Sequence, residues 1–178
     1  MITTEDSGLL IIDVQGKLAE QMNESSALFK NLSILIQGAK LLGLPIVWIE
    51  QLPDKLGRTH PEVAKHLPGE PLGKSSFSAL GDSKIRSEIK GLNRKNWIVA
   101  GIECHVCVYQ SVRDLLEMQY DVHLVNDAVS SRVLENKTLG LQAMQSAGAS
   151  MTCTEMVLFE LQKKAEGDVF KQIIQLIK

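Results

Sequence analysis

The feature that most constrains this chain is an alternation. Short, almost wholly apolar runs are separated by longer stretches in which apolar residues recur every three or four positions. Gly8-Leu9-Leu10-Ile11-Ile12-Asp13 is too short for a helix and too uniformly apolar for a strand with one wet face, so it reads as a buried parallel strand. A helix capped by Ser25 or Ser26 runs to about Leu42, with Leu28, Leu32, Leu35, Ile36 and Ala39 along one stripe. Gly43 ends it, and Pro45-Ile46-Val47-Trp48-Ile49-Glu50 is a second strand. Trp97–Ile102, Val122–Asp127 and Ala149–Cys153 read as further strands. Helices are predicted from Asp82 to Lys90, from about His105 to Gln119, from Leu134 to Ser146, and over Glu155–Lys164 and Asp168–Ile177. Strand, helix, strand with short connections implies right-handed crossovers and a mostly parallel sheet covered by helices on both faces.

Composition narrows the class. No linker, repeat or charge block divides the 178 residues, so a single domain over 1–178 is expected. A hydrophobic share of 44% with 22% charged residues excludes disordered and fibrous classes. The net charge of −2 gives no electrostatic reason to expect nucleic acid or an anionic membrane as partner. No apolar run approaches the roughly 20 residues needed to span a bilayer. The acidic start, Met1-Ile2-Thr3-Thr4-Glu5-Asp6, is unlike a secretory signal, and three cysteines, an odd number, read as thiols in a reducing compartment. The expectation is a cytoplasmic protein.

In open parallel sheets the ligand lies beyond the carboxyl ends of the strands. Asp13, Glu50, the Gly101–Cys107 segment and Asp127 all fall there. Residues 51–81 hold Pro53, Pro61, Pro68 and Pro71 and form a long connection of the kind that usually carries function, with a short helix after Pro61 and an extended piece at Leu72-Gly73-Lys74. A cysteine in the first helical turn after a strand meets free amides and the positive end of the helix dipole, which favour the thiolate. The same amides suit an oxyanion formed when that sulfur attacks a carbonyl. Cys107 is so placed; Asp13 is the candidate base and Lys74 the candidate cation. Gln15, Trp48, Glu50 and Phe77 are candidates for the pocket lining, and Arg58 either reaches the site or is solvated. His105 and His123 read as structural.

Asp13-Val14-Gln15, Lys74 with Ser75, Phe77, Ser78 and Ala79, and Gly101-Ile102-Glu103 leading to Cys107-Val108 together resemble the isochorismatase-like cysteine hydrolases. Val122–Ala128 with Ser130-Ser131-Arg132 is similar to the subgroup of isochorismatase domain-containing proteins, and the resemblance runs from about Leu9 to Cys153. It implies an α/β/α sandwich with a six-stranded, mostly parallel sheet, its sixth strand near Lys74. It implies an Asp13–Lys74–Cys107 triad acting on a small carboxamide or related acyl substrate through a thioester; no cofactor is expected, and no convincing metal site is read, His60 with Asp54 being the one weak candidate. It also implies a cis peptide between Ile102 and Glu103, an oxyanion site built from Ile102, Glu103 and the Cys107 amide, and assembly into homo-oligomers, dimers or larger. Two departures stand out. Cys104 occupies a position where the family commonly has threonine, and Glu50-Gln51-Leu52-Pro53-Asp54 replaces the Asp-x-His metal set of nicotinamidases. Isochorismate-cleaving members lack the nucleophilic cysteine, so Cys107 argues for acyl transfer.

Cys104-His105-Val106-Cys107 is also a C-x-x-C at a helix start, a pattern used for dithiol redox chemistry. Thioredoxin-like folds place it after an early strand and follow it with a cis-proline; here all five prolines precede it. A structural zinc would lack a supported fourth ligand, and no glycine-rich phosphate loop follows any strand. A non-catalytic interaction module remains the other alternative.

Overall fold

Six apolar segments find one another as neighbours in a single sheet. The computed structural model describes residues 1–178, with strands β1 (Ser7–Ile12), β2 (Ile46–Gln51), β3 (Leu72–Lys74), β4 (Asn96–Ile102), β5 (Asp121–Ser130) and β6 (Ser150–Thr152). All pairings are parallel and the order is β3-β2-β1-β4-β5-β6. Every residue of β1 is buried, as a strand covered on both faces requires. The helices are α1 (Gly16–Glu20), α2 (Ser25–Leu41), α3 (Pro53–Leu56), α4 (Pro61–Ala64), α5 (Ser83–Gly91), α6 (Tyr109–Glu117), α7 (Leu134–Ser146), α8 (Thr154–Gln162) and α9 (Gly167–Ile177).

Alternation along the strands divides the interior in two. Leu9, Ile11, Trp48, Ile98 and Val125 pack with Leu28, Leu32, Leu35 and Ile36 of α2 and with Val157 and Leu161 of α8. Leu10, Ile12, Val47, Ile49, Val99 and Leu124 face Ile85 and Ile89 of α5, Val112 and Leu115 of α6, and Met144 of α7. A smaller cluster of Ile34, Leu158 and Ile173 joins α9 to α2 and α8. The result is the expected α/β/α sandwich, with six strands.

The chain leaves β1 toward β2 and β3 on one side and resumes at β4 on the other, so the order reverses between β1 and β4. The crevice beyond their carboxyl ends is the usual place for a ligand in such sheets. Gly101 lies beside Ile12 there, with φ of 125°, and a Cβ would come within 2.1 Å of the Ile12 carbonyl oxygen. Only glycine permits this approach.

Several local expectations change. The start of α2 is set by Glu24 in the left-handed region, with no side-chain cap from Ser25 or Ser26. The helix expected from His105 opens as a π-helical turn over Cys104–Val108 before α6 begins. The register of β4 against β5 shifts between Val99 and Gly101, which carries β5 on past Asp127 to Ser130. Two short helices, α1 and α3, had no signal strong enough to anticipate. Asp82, by contrast, accepts from the amides of Lys84 and Ile85 and caps α5 as read.

Candidate active site

The end of β1 delivers the first member of the site. Asp13 follows Ile12 with φ of 52°, its amide donating to the Ile49 carbonyl at 3.1 Å. This turns the carboxyl over the end of the sheet, where it is buried. Lys74 closes β3 in register with Gln51 of β2, and its side chain is fully buried. The Lys74 ammonium donates to Asp13 Oδ2 at 2.6 Å, to the Ser76 carbonyl at 3.1 Å and to Gln51 Oε1 at 3.4 Å. Cys107 sits in the turn after β4, 6% exposed, and its thiol donates to the same Gln51 Oε1 at 3.2 Å. Three stretches far apart in sequence therefore meet at one point.

The electrostatics depart from the first expectation. Burial pushes the Asp13 carboxyl above its ordinary value, and the charge and hydrogen bond of Lys74 pull it back without cancelling the rise. Burial also pushes the Cys107 thiol up to about 12; the negative charge of Asp13 adds to this and Lys74 opposes it. At neutral pH Cys107 is thus a protonated thiol. The helix-start argument for a resting thiolate is overturned by desolvation. Asp13 Oδ1 is buried with no hydrogen-bond partner, an open acceptor beside a donor-bearing sulfur.

The turn that holds Cys107 is fixed from three sides. Ser111 Oγ donates to the Cys107 carbonyl at 2.7 Å and accepts from the Ala79 amide at 2.8 Å, which ties α6 to the segment after Lys74. Gly140 of α7 packs against the backbone of His105, where a Cβ would lie 3.0 Å from its Cα. The Ile102–Glu103 peptide is cis. The Ile102 side chain is core. Burial raises the Glu103 carboxyl, but hydrogen bonds from the Arg132 amide and guanidinium outweigh it and hold it below the usual carboxylate range.

The candidate pocket residues divide. Gln15 gives its whole side chain to backbone: it donates to the carbonyls of Gln51 at 3.0 Å and Gly57 at 2.7 Å and accepts from the Gln51 amide at 2.6 Å. Glu50 accepts from Arg58, from the Thr59 amide and from the Thr59 hydroxyl, so both Glu50 and Arg58 anchor the loop. Trp48 is core, its indole donating to the Pro68 carbonyl at 2.8 Å. Phe77 alone stands free, 54% exposed and next to Ser76, which touches Lys74. Asp127 does not reach the rim; it caps α8 by accepting from the amide and hydroxyl of Thr154. His105 contacts Ser131 and His123 contacts Asn96, as structural residues do. His60 stacks on Phe29 and accepts from the Glu62 amide, and no three His, Cys, Asp or Glu side chains gather as a metal cluster.

Gln51 was not anticipated. An amide at a strand end carries no chemical signature, and only its register with Lys74 marks it. The two cysteines of the C-x-x-C have different partners: Cys104 donates to the Lys137 carbonyl of α7 at 3.6 Å and Cys107 to Gln51 Oε1 at 3.2 Å.

Comparison with known proteins agrees with this architecture. Residues 7–156 match the isochorismatase domain. The chain is 35% identical over 177 residues to a secreted isochorismatase effector, Isc1, of Phytophthora sojae, covering 97% of this chain and 84% of that protein. The structure of a MAR1 ribonuclease from Caenorhabditis elegans superposes with a TM-score of 0.92 at 32% identity, covering 99% of this chain and 91% of that one. The YcaC gene product of Escherichia coli, described as an octameric hydrolase of unknown specificity, superposes with a TM-score of 0.93 over 98% of this chain and 89% of its own. At 22% identity that likeness speaks for the fold alone.

Proposed function

The chain belongs to the isochorismatase family, and within it we propose a cysteine hydrolase that cleaves a small carboxamide or related acyl compound. What supports this is the meeting of Asp13, Lys74 and Cys107 around one buried point, with an unpartnered carboxylate oxygen on the base.

Asp13 takes the S–H proton as Cys107 Sγ attacks the substrate carbonyl, so the sulfur never stands ionised without a bond forming. Lys74 keeps Asp13 ionised before the transfer and balances the charge around it. The developing oxyanion lies against backbone amides of the Ile102–Cys107 segment, Cys107 included. Collapse of the tetrahedral species expels ammonia or an amine, which leaves with the proton held by Asp13. Water then gives a proton to Asp13, attacks the thioester, and releases the carboxylic acid as Asp13 returns the proton to sulfur. Phe77 supplies an apolar wall at the mouth of the site.

No resident metal or cofactor is called on. The net charge of −2 gives no field to gather a polyanion, so a nucleic acid is not the proposed substrate. No helix is long and apolar enough to cross a membrane. We place the protein in a reducing compartment, where its three free thiols would persist.

The test is a panel of small carboxamides, with product followed by ammonia release and the acyl-enzyme trapped by acid quench for intact-mass analysis. Turnover with a mass increment on Cys107 supports the assignment. Turnover that persists in Cys107→Ala refutes it.

A further inference from the structure

Gln51, the last residue of β2, takes no part in that chemistry, yet its side chain touches two members of the triad. Its Oε1 accepts from Cys107 Sγ at 3.2 Å and from Lys74 Nζ at 3.4 Å. An ammonium has donors only, so Lys74 dictates that the oxygen of the Gln51 amide, and not its nitrogen, faces the pair. The residue cannot drift: Gln15 grips its backbone amide at 2.6 Å and its backbone carbonyl at 3.0 Å. Asp13 Oδ1 meanwhile is buried without a partner. The thiol thus has the neutral amide oxygen as its acceptor at 3.2 Å, while Asp13, close enough for its charge and hydrogen bonding to bear on the same sulfur, keeps Oδ1 without a partner.

We propose that Gln51 is a positioning residue for Cys107, one that accepts the resting thiol's hydrogen bond and withholds its proton from Asp13 until a substrate carbonyl reaches the sulfur. This rests on Cys107 being the nucleophile. On attack, the proton passes from Sγ to Asp13 Oδ1 as the sulfur–carbon bond forms, and nothing else is consumed. A hydrogen bond accepted from the neutral thiol favours the neutral form, which keeps the sulfur unreactive without substrate. The other charges bearing on Cys107 are Asp13 beyond β1, Lys74 at the end of β3 and Glu103 beyond β4, with Glu50 of β2 acting on Asp13.

Iodoacetamide, itself a small carboxamide, probes this directly. Its second-order rate with Cys107 is read by peptide mass spectrometry across pH for the full-length protein and its variants, folding being checked by circular dichroism. Gln51→Met keeps the length of the side chain and removes the strong acceptor. The line of log rate against pH should shift down by about one unit, making alkylation about tenfold faster at pH 7. Gln51→Glu adds a negative charge beside the sulfur and should shift the line upward, slowing alkylation. A merely structural role would move both variants the same way or neither, and any ordering other than the stated one overturns the inference. Gln51→Asn, too short to span both partners, replaces Gln51→Met should that variant not fold. Asp13→Asn separates the two claims: if Cys107 is not the fast thiol and Asp13→Asn leaves its rate unchanged, the nucleophile assignment has failed whatever Gln51 does.

Discussion

The Lys74 ammonium sits 2.6 Å from Asp13 Oδ2, with its own side chain wholly out of water and that of Asp13 nearly so. A buried ion pair of this kind contributes little net stability, because desolvation offsets the attraction, but removing one partner strands the other. Lys74→Met should destabilise the fold by about 3–5 kcal/mol at neutral pH. The pH dependence has a definite sign. Asp13 already titrates above its unfolded value, and without Lys74 it rises further. The folded state then binds the Asp13 proton more tightly than the unfolded, so the contribution of Asp13 to stability is greatest at low pH and is lost as pH rises through the folded pKa. Urea denaturation of Lys74→Met at pH 4 and pH 7.5 checks this. A variant equally stable at both pH values would mean that Asp13 does not depend on Lys74 for its charge.

On the proposed mechanism the same raised carboxyl sets the acid limit of activity. Asp13 must be ionised to accept the Cys107 proton, so kcat/KM should climb with pH through the Asp13 pKa and then level. The midpoint should lie above the ordinary 3.8 of an aspartate. Asp13→Asn removes the base and should reduce kcat by two to four orders of magnitude, on the order usual for general base catalysis. Rate profiles between pH 3.5 and 8.5 on the best carboxamide of the panel decide it; a midpoint at or below 3.8 counts against Asp13 as the base.

Ser111 carries a prediction about placement rather than chemistry. Its hydroxyl joins the Cys107 carbonyl to the Ala79 amide, and both contacts are buried. Ser111→Ala leaves a donor and an acceptor unsatisfied, at a cost of about 1–3 kcal/mol. Because the bridge positions the turn bearing the proposed nucleophile, kcat should fall while KM changes little. Melting curves and steady-state kinetics on Ser111→Ala test both parts.

Much of the fold was legible because β1, β2 and β4 are covered on both faces, and continuous apolar runs have few other readings. Placement at strand ends then brought Asp13 and Cys107 within view. Lys74 was harder, since β3 spans only Leu72–Lys74, too short for any periodicity; the resemblance to a family supplied it. Asp127 misled because Asn126-Asp127 reads as the polar end of a strand, whereas a register shift opposite Ala100 carries β5 on to Ser130. Gln15 and Glu50 were correctly sited near the strand ends, but a buried polar side chain can serve substrate or backbone equally well until its partners are known. The protonation of Cys107 was out of reach for a related reason. The helix start favours a thiolate, burial disfavours it, and only the depth of the sulfur decides between them.

Cys104 offers the last prediction and separates hydrolase from dithiol redox protein. Its sulfur donates weakly to the Lys137 carbonyl at 3.6 Å, whereas that of Cys107 donates to Gln51 Oε1. Burial pushes its thiol up to about 12, as it does that of Cys107, but only the Lys137 charge bears on Cys104 and no carboxylate stands by to take its proton. Cys104→Thr puts a stronger donor against the same carbonyl. That hydrogen bond is worth about 1 kcal/mol, so the melting temperature should hold or rise by about 2–4 °C. Carboxamide turnover and the alkylation rate of Cys107 should stay within about twofold of the unaltered protein, a change of under 0.5 kcal/mol. A dithiol enzyme would behave otherwise. Oxidised glutathione would remove both thiols together, dithiothreitol would restore them, and Cys104→Thr would abolish the cycle. Counting free thiols by mass after each treatment distinguishes the two, because in a hydrolase Cys107 alone reacts and Cys104 stays reduced beneath α7.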